Sequence, residues 1–411
     1  MVRKLLILTT ILLIFPLSFI SAQKDVLKQA KANLKNGDVK ELQKMVDKIT
    51  VNADTKDLAD TWNVAGRVQY RKALQELEKA YLRKSYDTLT IYNSVLNMSK
   101  YFLKCDSIAQ AETKPGKINK FRKDNQKSIV TEKGNLINGG IYFYNRAGEN
   151  DTLKLAKSFD FFKTYIDLTV SDMFKDDDLL KRDSIFTQVA YYASLAAFRT
   201  NNFPQVLKYA PFAEDEPSVG QYALEFMAQA HQHNKNTEEW IETLKRGIEK
   251  YPEDDYFFAN LIDYYSSNNN FEEALEFADG MLSKDPHNYH YLFVKGYLYQ
   301  VMKQYDDALA YYERTVQVNP ELAPAYSNMG LIYSLMAQEF SQEAVTDIKD
   351  PRYPIDQAKL KSFYEKALPY YEKARELQPN NRSLWLNGLH RVYYNLNMGD
   401  KFNEIDRIIN P

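Results

Sequence analysis

Histidines are the side chains in this 411-residue chain best suited to hold a metal ion or transfer a proton. They are His231, His233, His287, His290 and His390. His231 and His233 are two positions apart on a predicted helix, which points them to different faces, and we expect His231 to pack between helices. His287 and His290 could share a metal with Asp285, but a zinc site normally has four ligands in which Cys and His dominate. We therefore predict no metal site.

Other catalytic patterns are missing too. The sequence has no glycine loop that could cradle a phosphate, no serine at a strand-to-helix elbow and no two-histidine zinc helix. The paired carboxylates Glu272–Glu273 and Asp306–Asp307 fall at predicted helix starts, where the helix dipole favours acidic side chains. Cys105 is the single cysteine, so no intrachain disulfide forms, and we expect it to be a buried hydrophobic residue. We predict no catalytic residue, no cofactor and no enzymatic activity; the alternative is an enzyme with an unfamiliar site.

Long helices must carry these side chains, because the chain is poor in turn-forming residues. It has 14 glycines and 14 prolines, about 7% together where average proteins have ~12%. Hydrophobic residues make up 45% and charged residues 26%, which is typical of a globular chain, and no strand-type alternation is long enough to form a sheet. The net charge of −2 argues against nucleic-acid binding, which needs an excess of clustered Lys and Arg. The 31 tyrosines and 22 phenylalanines must be either buried or used in binding.

The second half of the chain is periodic. Pro252, Pro286 and Pro320 recur at one constant interval. Small residues such as Gly296 and Ala308 recur between them, and tyrosines recur in one register, at Tyr265, Tyr299 and Tyr333. Small residues let the two helices of a pair approach closely, large ones fill the groove between pairs, and proline ends the second helix. Each unit can bury its apolar face only by stacking on its neighbour.

This pattern resembles the tetratricopeptide (TPR) repeat, a helix–turn–helix unit of about 34 residues, which is also the interval between the prolines. The resemblance implies an all-α fold, an α-α superhelix in which antiparallel helix pairs form a right-handed solenoid. We place units near residues 187–220, 221–254, 255–288, 289–322 and 323–381, and a cap at 382–411. Residues 23–180 are interpreted as degenerate repeats, with helices at 24–34, 39–50, 59–84, 86–111, 119–144 and 152–174. Asp176–Asp178 is interpreted as a solvated turn and not as a calcium site.

The unit that starts at Ala323 contains an insertion. Its second helix returns late, so about 25 residues, near 337–361, are added between its helices. The stripe from Leu335 to Ile348 predicts a continued helix, the Pro-rich segment with Arg352 and Tyr353 predicts a turn, and Asp356 is expected to cap the returning helix. Two overlong helices should therefore project from the stack. Two interpretations stay open, a tolerated loop extension and a prong that docks a partner.

The TPR resemblance implies a binding face, because the first helix of each pair lines the concave side in that family. The corresponding positions in this sequence are Tyr222, Glu225, Gln229, Tyr256, Ala259, Asp263, His290, Phe293, Tyr297, Ser327 and Leu331. The Lys, Asn and Arg residues with which some members grip acidic tails do not stand at these places. The face therefore suits a partly apolar peptide of another protein, although several aromatics could instead only pack against neighbours. Alternatives are a small-ligand or glycan-binding module and self-association through the end caps.

The N-terminus indicates export. Arg3 and Lys4 precede the apolar run from Leu5 to Phe15, and small residues lead to Ala22, where we expect cleavage. The alternative is an uncleaved membrane anchor, which the short run disfavours. We expect a periplasmic or secreted protein without a membrane span in its mature chain, similar to secreted TPR proteins of Gram-negative bacteria. An Asp–hydroxyl–aliphatic pattern begins at Asp87, Asp106, Asp151 and Asp183; it resembles an O-glycosylation signal, with helix capping as the simpler interpretation.

Overall fold

A computed structural model of the chain describes residues 24–148, 151–176 and 182–410. Within these ranges every regular element is helical and the helices pack in pairs, so the predicted all-α class is confirmed. The fold divides into two compact units, one up to Thr243 and one from Leu244 onward. The predicted export signal, residues 1–22, and Asp177–Asp178 lie outside the described residues.

The first unit is built from consecutive helices that pack on their neighbours along the chain. They are α1 (residues 24–33), α2 (Val39–Ile49), α3 (Ala59–Tyr81), α4 (Thr88–Ala111), α5 (Arg122–Glu132), α6 (Gly134–Arg146), α7 (Thr152–Thr169), α8 (Phe186–Arg199), α9 (Phe203–Tyr209) and α10 (Gly220–His233). Helix α11 (Thr237–Lys250) crosses into the second unit. Asp87 and Asp151 cap α4 and α7 through backbone N–H groups, as the capping interpretation predicts.

The single helix predicted over 119–144 is wrong, because the structure has two helices that meet at Lys133. The Lys133 N–H still donates to the Ile129 carbonyl oxygen at 2.7 Å, as in an α-helix. Its own carbonyl oxygen, however, accepts from the Leu136 N–H at 3.0 Å, which is the tighter three-residue spacing. Gly134 follows directly, and glycine is a weak helix former, so the α-helical hydrogen-bond series is interrupted there and α6 begins.

A buried ion pair ties α4 to α5. The Arg122 guanidinium donates to both carboxylate oxygens of Asp106, at 2.8 and 2.7 Å, and both side chains are 5% exposed. The Asn119 amide donates to the same carboxylate at 2.7 Å. Asp106 therefore does not cap a helix start, as the capping interpretation suggested for this pattern; it lies inside α4 and neutralises a buried cation.

The second unit continues the pairs with α12 (Asp255–Ser267), α13 (Phe271–Lys284), α14 (Tyr289–Val301), α15 (Tyr305–Val318), α16 (Ala323–Glu343), α17 (Tyr353–Leu377), α18 (Leu386–Asn395) and α19 (Gly399–Ile409). Pro252, Pro286 and Pro320 each follow the last helical residue by two positions. Paired acids start α13 and α15, as predicted.

The turn inside each pair repeats its backbone conformation. Asn201, Lys235, Asn269 and Lys303 have φ angles of 53°, 60°, 56° and 61°, and they recur at the same interval as the prolines. This is the left-handed region that non-glycine residues rarely enter. The next position in this series, residue 337, lies instead within α16, where the insertion begins.

The inserted pair is longer than its neighbours, as predicted. Helix α16 has 21 residues and α17 has 25, whereas α14 has 13 and α15 has 14. The predicted stripe to Ile348 is wrong, because α16 ends at Glu343 and Ala344 is extended. Asp356 does not cap α17 either. It lies in the first turn, after Pro354, and its carboxylate accepts from the Val345 N–H at 2.9 Å, which ties the outgoing segment to the returning helix.

Glycines allow two close helix contacts in the second unit. A Cβ on Gly296 would lie 2.7 Å from the ring of Tyr312, which is buried. The ring of Tyr371 lies between two glycines, at 2.9 Å from a Cβ position on Gly330 and 2.3 Å from one on Gly388. Helices α16, α17 and α18 therefore meet around one tyrosine, as the pattern of small and large residues predicts.

Candidate binding surface

The predicted binding residues are divided between the two units, and each group is described by itself. In the first unit, α10 carries Tyr222, Glu225 and Gln229. The Tyr222 side chain is 46% exposed, and its ring centroid lies 6.4 Å from that of Tyr191. Glu225 and Gln229 are half-buried. In the second unit, α12 carries Tyr256 and Asp263, α14 carries His290, Phe293 and Tyr297, and α16 carries Ser327.

Two similar caps set the register of α12 and α14. The Asp254 carboxylate accepts from the Tyr256 N–H at 2.9 Å. At the corresponding position of the next repeat, the Asn288 side chain accepts from the His290 N–H at 3.0 Å. Both helices therefore begin at the same point of the repeat, and residues that correspond in sequence correspond in position.

Asp263 and Tyr297 belong to one surface. Burial is the main cause that raises the pKa of the Tyr297 hydroxyl, and the negative charge of Asp263 raises it further. Asp263 is exposed and Tyr297 is half-buried. The repeats of α12 and α14 thus place a carboxylate within electrostatic range of a tyrosine that solvent still reaches.

The ring side chains His290, Phe293 and Tyr297 form a row on one face of α14, which we call the aromatic row. They stand at the spacing i, i+3, i+7, so the row extends about 10 Å along the helix. All three are half-buried. The Phe293 ring centroid lies 5.4 Å from that of Tyr312, so one side of this residue contributes to packing.

His290 has a protein partner. Its Nε2 lies 2.8 Å from the Glu253 carboxylate, to which the Tyr289 hydroxyl donates at 2.6 Å. The Tyr289 hydrogen bond, and secondarily that of His290, lower the pKa of Glu253. No group of three or more metal-binding side chains is found in the described ranges. His290 and Phe293 also border a cavity of about 40 Å³, together with Asp255 and Phe258.

A second cavity, of about 160 Å³, lies at the contact of α16, α17 and α18. Ser327 and Leu331 line it with Tyr371, and the Ser327 hydroxyl donates to the Leu384 carbonyl oxygen at 2.5 Å. Arg391 and Asn387, from α18, complete its rim. Sequence reasoning missed these two residues, because the end of the chain departs from the repeat and gives no periodic signal for them.

The tip of the inserted pair carries charged and apolar side chains. Arg352 is exposed and its guanidinium lies 3.2 Å from the Asp350 carboxylate, while Tyr353 begins α17 and is half-buried. Ile348 and Ile355 are 74% and 67% exposed, and the predicted site did not include them. The sequence signal that could have identified them is the presence of large apolar residues on both sides of a Pro-rich turn.

Comparison with known proteins finds distant relatives over part of the chain. The chain is 26% identical over 120 residues to the Photosystem I assembly protein Ycf3 of Rippkaea orientalis, a match that covers 29% of this chain and 60% of that protein. The protein of that name from Cuscuta obtusiflora is 28% identical over 129 residues, or 30% of this chain and 70% of that protein. The chain thus spans less than two thirds of the first relative. No family model matches the chain.

Among solved structures, the chain is similar to a TPR repeats protein of Bacteroides fragilis, at 17% identity, with 68% of this chain and 99% of that chain covered and a TM-score of 0.33. It is also similar to the TPR domain of P58(IPK), at 11% identity, with 92% and 99% covered and a TM-score of 0.29. Scores this low carry no conclusion about this chain. No helix in the described ranges is both long and apolar enough to cross a membrane. The helix pairs and the assembly-protein relatives, which are TPR proteins, support a TPR-type repeat protein.

Proposed function

We propose that this protein is a non-enzymatic repeat scaffold that binds a segment of another protein, and that the binding surface lies on α12, α14 and α16. The observation that carries the proposal is the aromatic row on α14, whose three rings are only half-buried. Aromatic side chains that are held in place and partly accessible are the residues that most often anchor a protein partner.

The neighbours of the aromatic row suit a partly apolar segment. Asp263, whose negative charge acts on Tyr297, is exposed and offers an acceptor to a backbone N–H or a basic side chain. The cavity next to His290 and Phe293 is small, about 40 Å³, and would hold at most a short apolar group. The tip of the inserted pair adds two exposed apolar side chains, Ile348 and Ile355, within the same unit. We therefore include the tip, with Arg352 and Tyr353, in the proposed surface.

Site-specific photo-crosslinking in the native host tests this proposal. A photoreactive phenylalanine analogue at position 297 should capture a protein, and one at position 394 should not. Tyr394 is a suitable control because it lies in the same unit and is 69% exposed. With the photoreactive analogue moved to position 293, the double variant Tyr256→Ala, Tyr297→Ala should lose the captured partner while its circular dichroism spectrum keeps the helical signal. Unchanged capture by the folded double variant would refute the proposed surface, and light scattering would show whether the captured protein is a second copy of the chain.

We also propose that the protein is exported, on the basis of the basic start and the apolar run before Ala22. Fractionation of the native host should find the chain in the cell envelope or the medium. Its intact mass should equal that of residues 23–411, and an excess that the uncleaved signal does not explain would indicate glycosylation at the Asp–hydroxyl–aliphatic sites. A chain of full-length mass in the cytoplasm would contradict export.

A further inference from the structure

The first unit contains a polar cleft, which differs in character from the aromatic row. It lies between α2, α3 and α4 and has a volume of about 580 Å³, within the roughly 300–1,000 Å³ that is common for small-molecule sites. Its lining includes six residues that could hydrogen-bond to a ligand, namely Gln43, Asp47, Gln69, Asn93, Asn97 and Tyr101. Five of these six side chains are amides or carboxylates, so the walls offer hydrogen bonds and little apolar surface.

A chain of hydrogen bonds connects three lining residues of the cleft, Gln69, Gln43 and Asp47. The Gln69 amide nitrogen donates to the Gln43 side-chain oxygen at 2.7 Å, and the Gln43 nitrogen donates to the Asp47 carboxylate at 2.8 Å. Because Gln69 uses its amide nitrogen in this chain, its side-chain oxygen is left as an acceptor with no donor among the described residues. Gln69 is only 4% exposed. Because this oxygen accepts from no protein donor, it can accept a hydrogen bond from a hydroxyl group of a ligand in the cleft.

One wall of the cleft is a ladder of polar groups on α4. Asn93, Asn97 and Tyr101 follow each other at four-residue intervals on one face, so they span about 12 Å along the helix. All three are half-buried, and their side-chain polar atoms make no hydrogen bond within the described part of the chain. Each asparagine offers both a donor and an acceptor. Burial, aided by Asp47, raises the pKa of the Tyr101 hydroxyl, which therefore remains a donor.

The charges of the cleft select against an anionic ligand. Asp47 and Asp87 are offset only in part by Lys72, which leaves a small excess of negative charge. A peptide would need apolar pockets for its side chains, and Leu89 is the main aliphatic residue of the lining. We propose that the cleft binds a sugar, whose hydroxyl groups both donate and accept and so match the Gln69 oxygen, the two asparagine amides and the Tyr101 hydroxyl. This site is independent of the protein-binding surface proposed above.

Isothermal titration calorimetry on the whole protein tests the inference. Maltose, cellobiose and diacetylchitobiose serve as sugar probes, and tetraglycine amide serves as the main-chain peptide probe. At least one sugar should bind saturably. The double variant Asn93→Ala, Asn97→Ala should weaken that binding by about tenfold or more, since each lost neutral hydrogen bond contributes up to about that factor. Asn145→Ala, an exposed asparagine on α6 away from the cleft, should leave the dissociation constant unchanged.

Tyr101→Phe provides a second variant that removes one hydroxyl and keeps the ring packed against Trp62, whose centroid is 5.5 Å away. It should weaken sugar binding even if the double variant fails to fold. Three results would overturn the inference: no saturable binding of any of the sugars, equal affinity of the folded double variant and the parent, or binding of tetraglycine amide alone. The last result would assign the cleft to a peptide main chain.

Discussion

Replacing Gly388 by alanine should destabilise the second unit, because the new methyl group would collide with the ring of Tyr371. The added Cβ would lie 2.3 Å from two ring carbons, whereas ordinary contacts begin at 3.4 Å, so the ring or the helix must move by 1.1 Å. The ring cannot easily retreat, since its opposite edge lies on Gly330 of α16. Tyr371 is only 4% exposed, and the space beside it is the cavity of about 160 Å³ that it lines together with Gly388, so the ring must be displaced toward that cavity.

The magnitude follows from two opposing effects. Overpacking of a well-filled core costs about 1–3 kcal/mol, and a ring held on both edges belongs near the upper limit. Alanine in place of glycine gains at most about 1 kcal/mol of helix propensity. The expected net loss in the free energy of unfolding is therefore about 2 kcal/mol. Gly280→Ala is the matched control, because no atom lies within 4 Å of its Cβ position and alanine there should be neutral or stabilising.

Urea unfolding followed by Trp385 fluorescence measures this loss. Trp385 is buried in the same cluster as Tyr371, and a background with Trp62→Phe and Trp240→Phe leaves it as the single tryptophan. Adding Tyr371→Leu to Gly388→Ala should recover part of the loss, since the smaller side chain leaves room for the methyl group. If Gly388→Ala is as stable as Gly280→Ala, or if Tyr371→Leu recovers nothing, the reasoning from close helix contact is wrong.

Three further predictions concern the first unit. Asp106→Asn leaves the buried Arg122 without its carboxylate, which should cost about 3–5 kcal/mol and speed amide hydrogen exchange in α4 and α5; unchanged exchange would contradict a stabilising pair. Burial raises the pKa of the Cys105 thiol to about 12, so a thiol reagent at mildly alkaline pH should label it only after unfolding, and rapid labelling of the native protein would speak against this. Burial also raises the pKa of the Glu132 carboxyl. The folded state therefore holds this proton more tightly, and the free energy of unfolding should fall as pH rises from the unfolded-state pKa through the folded-state pKa. Glu132→Gln should abolish that decline in a pH series of urea denaturations; an unchanged decline would disprove the assignment.

The repeat was predictable because packing repeats along the chain. Pro286, Gly296 and Tyr299 keep their spacing since each pair must bury the same face against the next. The left-handed turn residues were not predictable by type, because Lys235 and Lys303 stand where glycine would be expected. The fixed length of the turn, set by the helices on either side, overrides the local preference of lysine.

Contacts between residues without a periodic relation were also not predictable. Arg122 and Asp106 are 16 residues apart and pair only because α5 folds back on α4. Asp356 follows the local rule for a cap, but Pro354 fits the first turn and lets the helix begin earlier, which frees the carboxylate to hold Val345. For the binding surface, the register of His290, Phe293 and Tyr297 on α14 could be predicted. The position of Arg391 at the cavity between α16, α17 and α18 could not, because it depends on the irregular last helices.

The inserted pair has a consequence for protein engineering. The chain enters and leaves the insertion at the place where other pairs have a short turn, and Ala308 and Ala367, which correspond, differ by 25 positions more than one repeat period. The insertion therefore takes the place of the short turn of a standard helix pair. Excising residues 338–362 and placing glycine at 337 would convert the unit to standard length, and other helical hairpins could be grafted there. The same scaffold could then display a chosen sequence at a defined repeat.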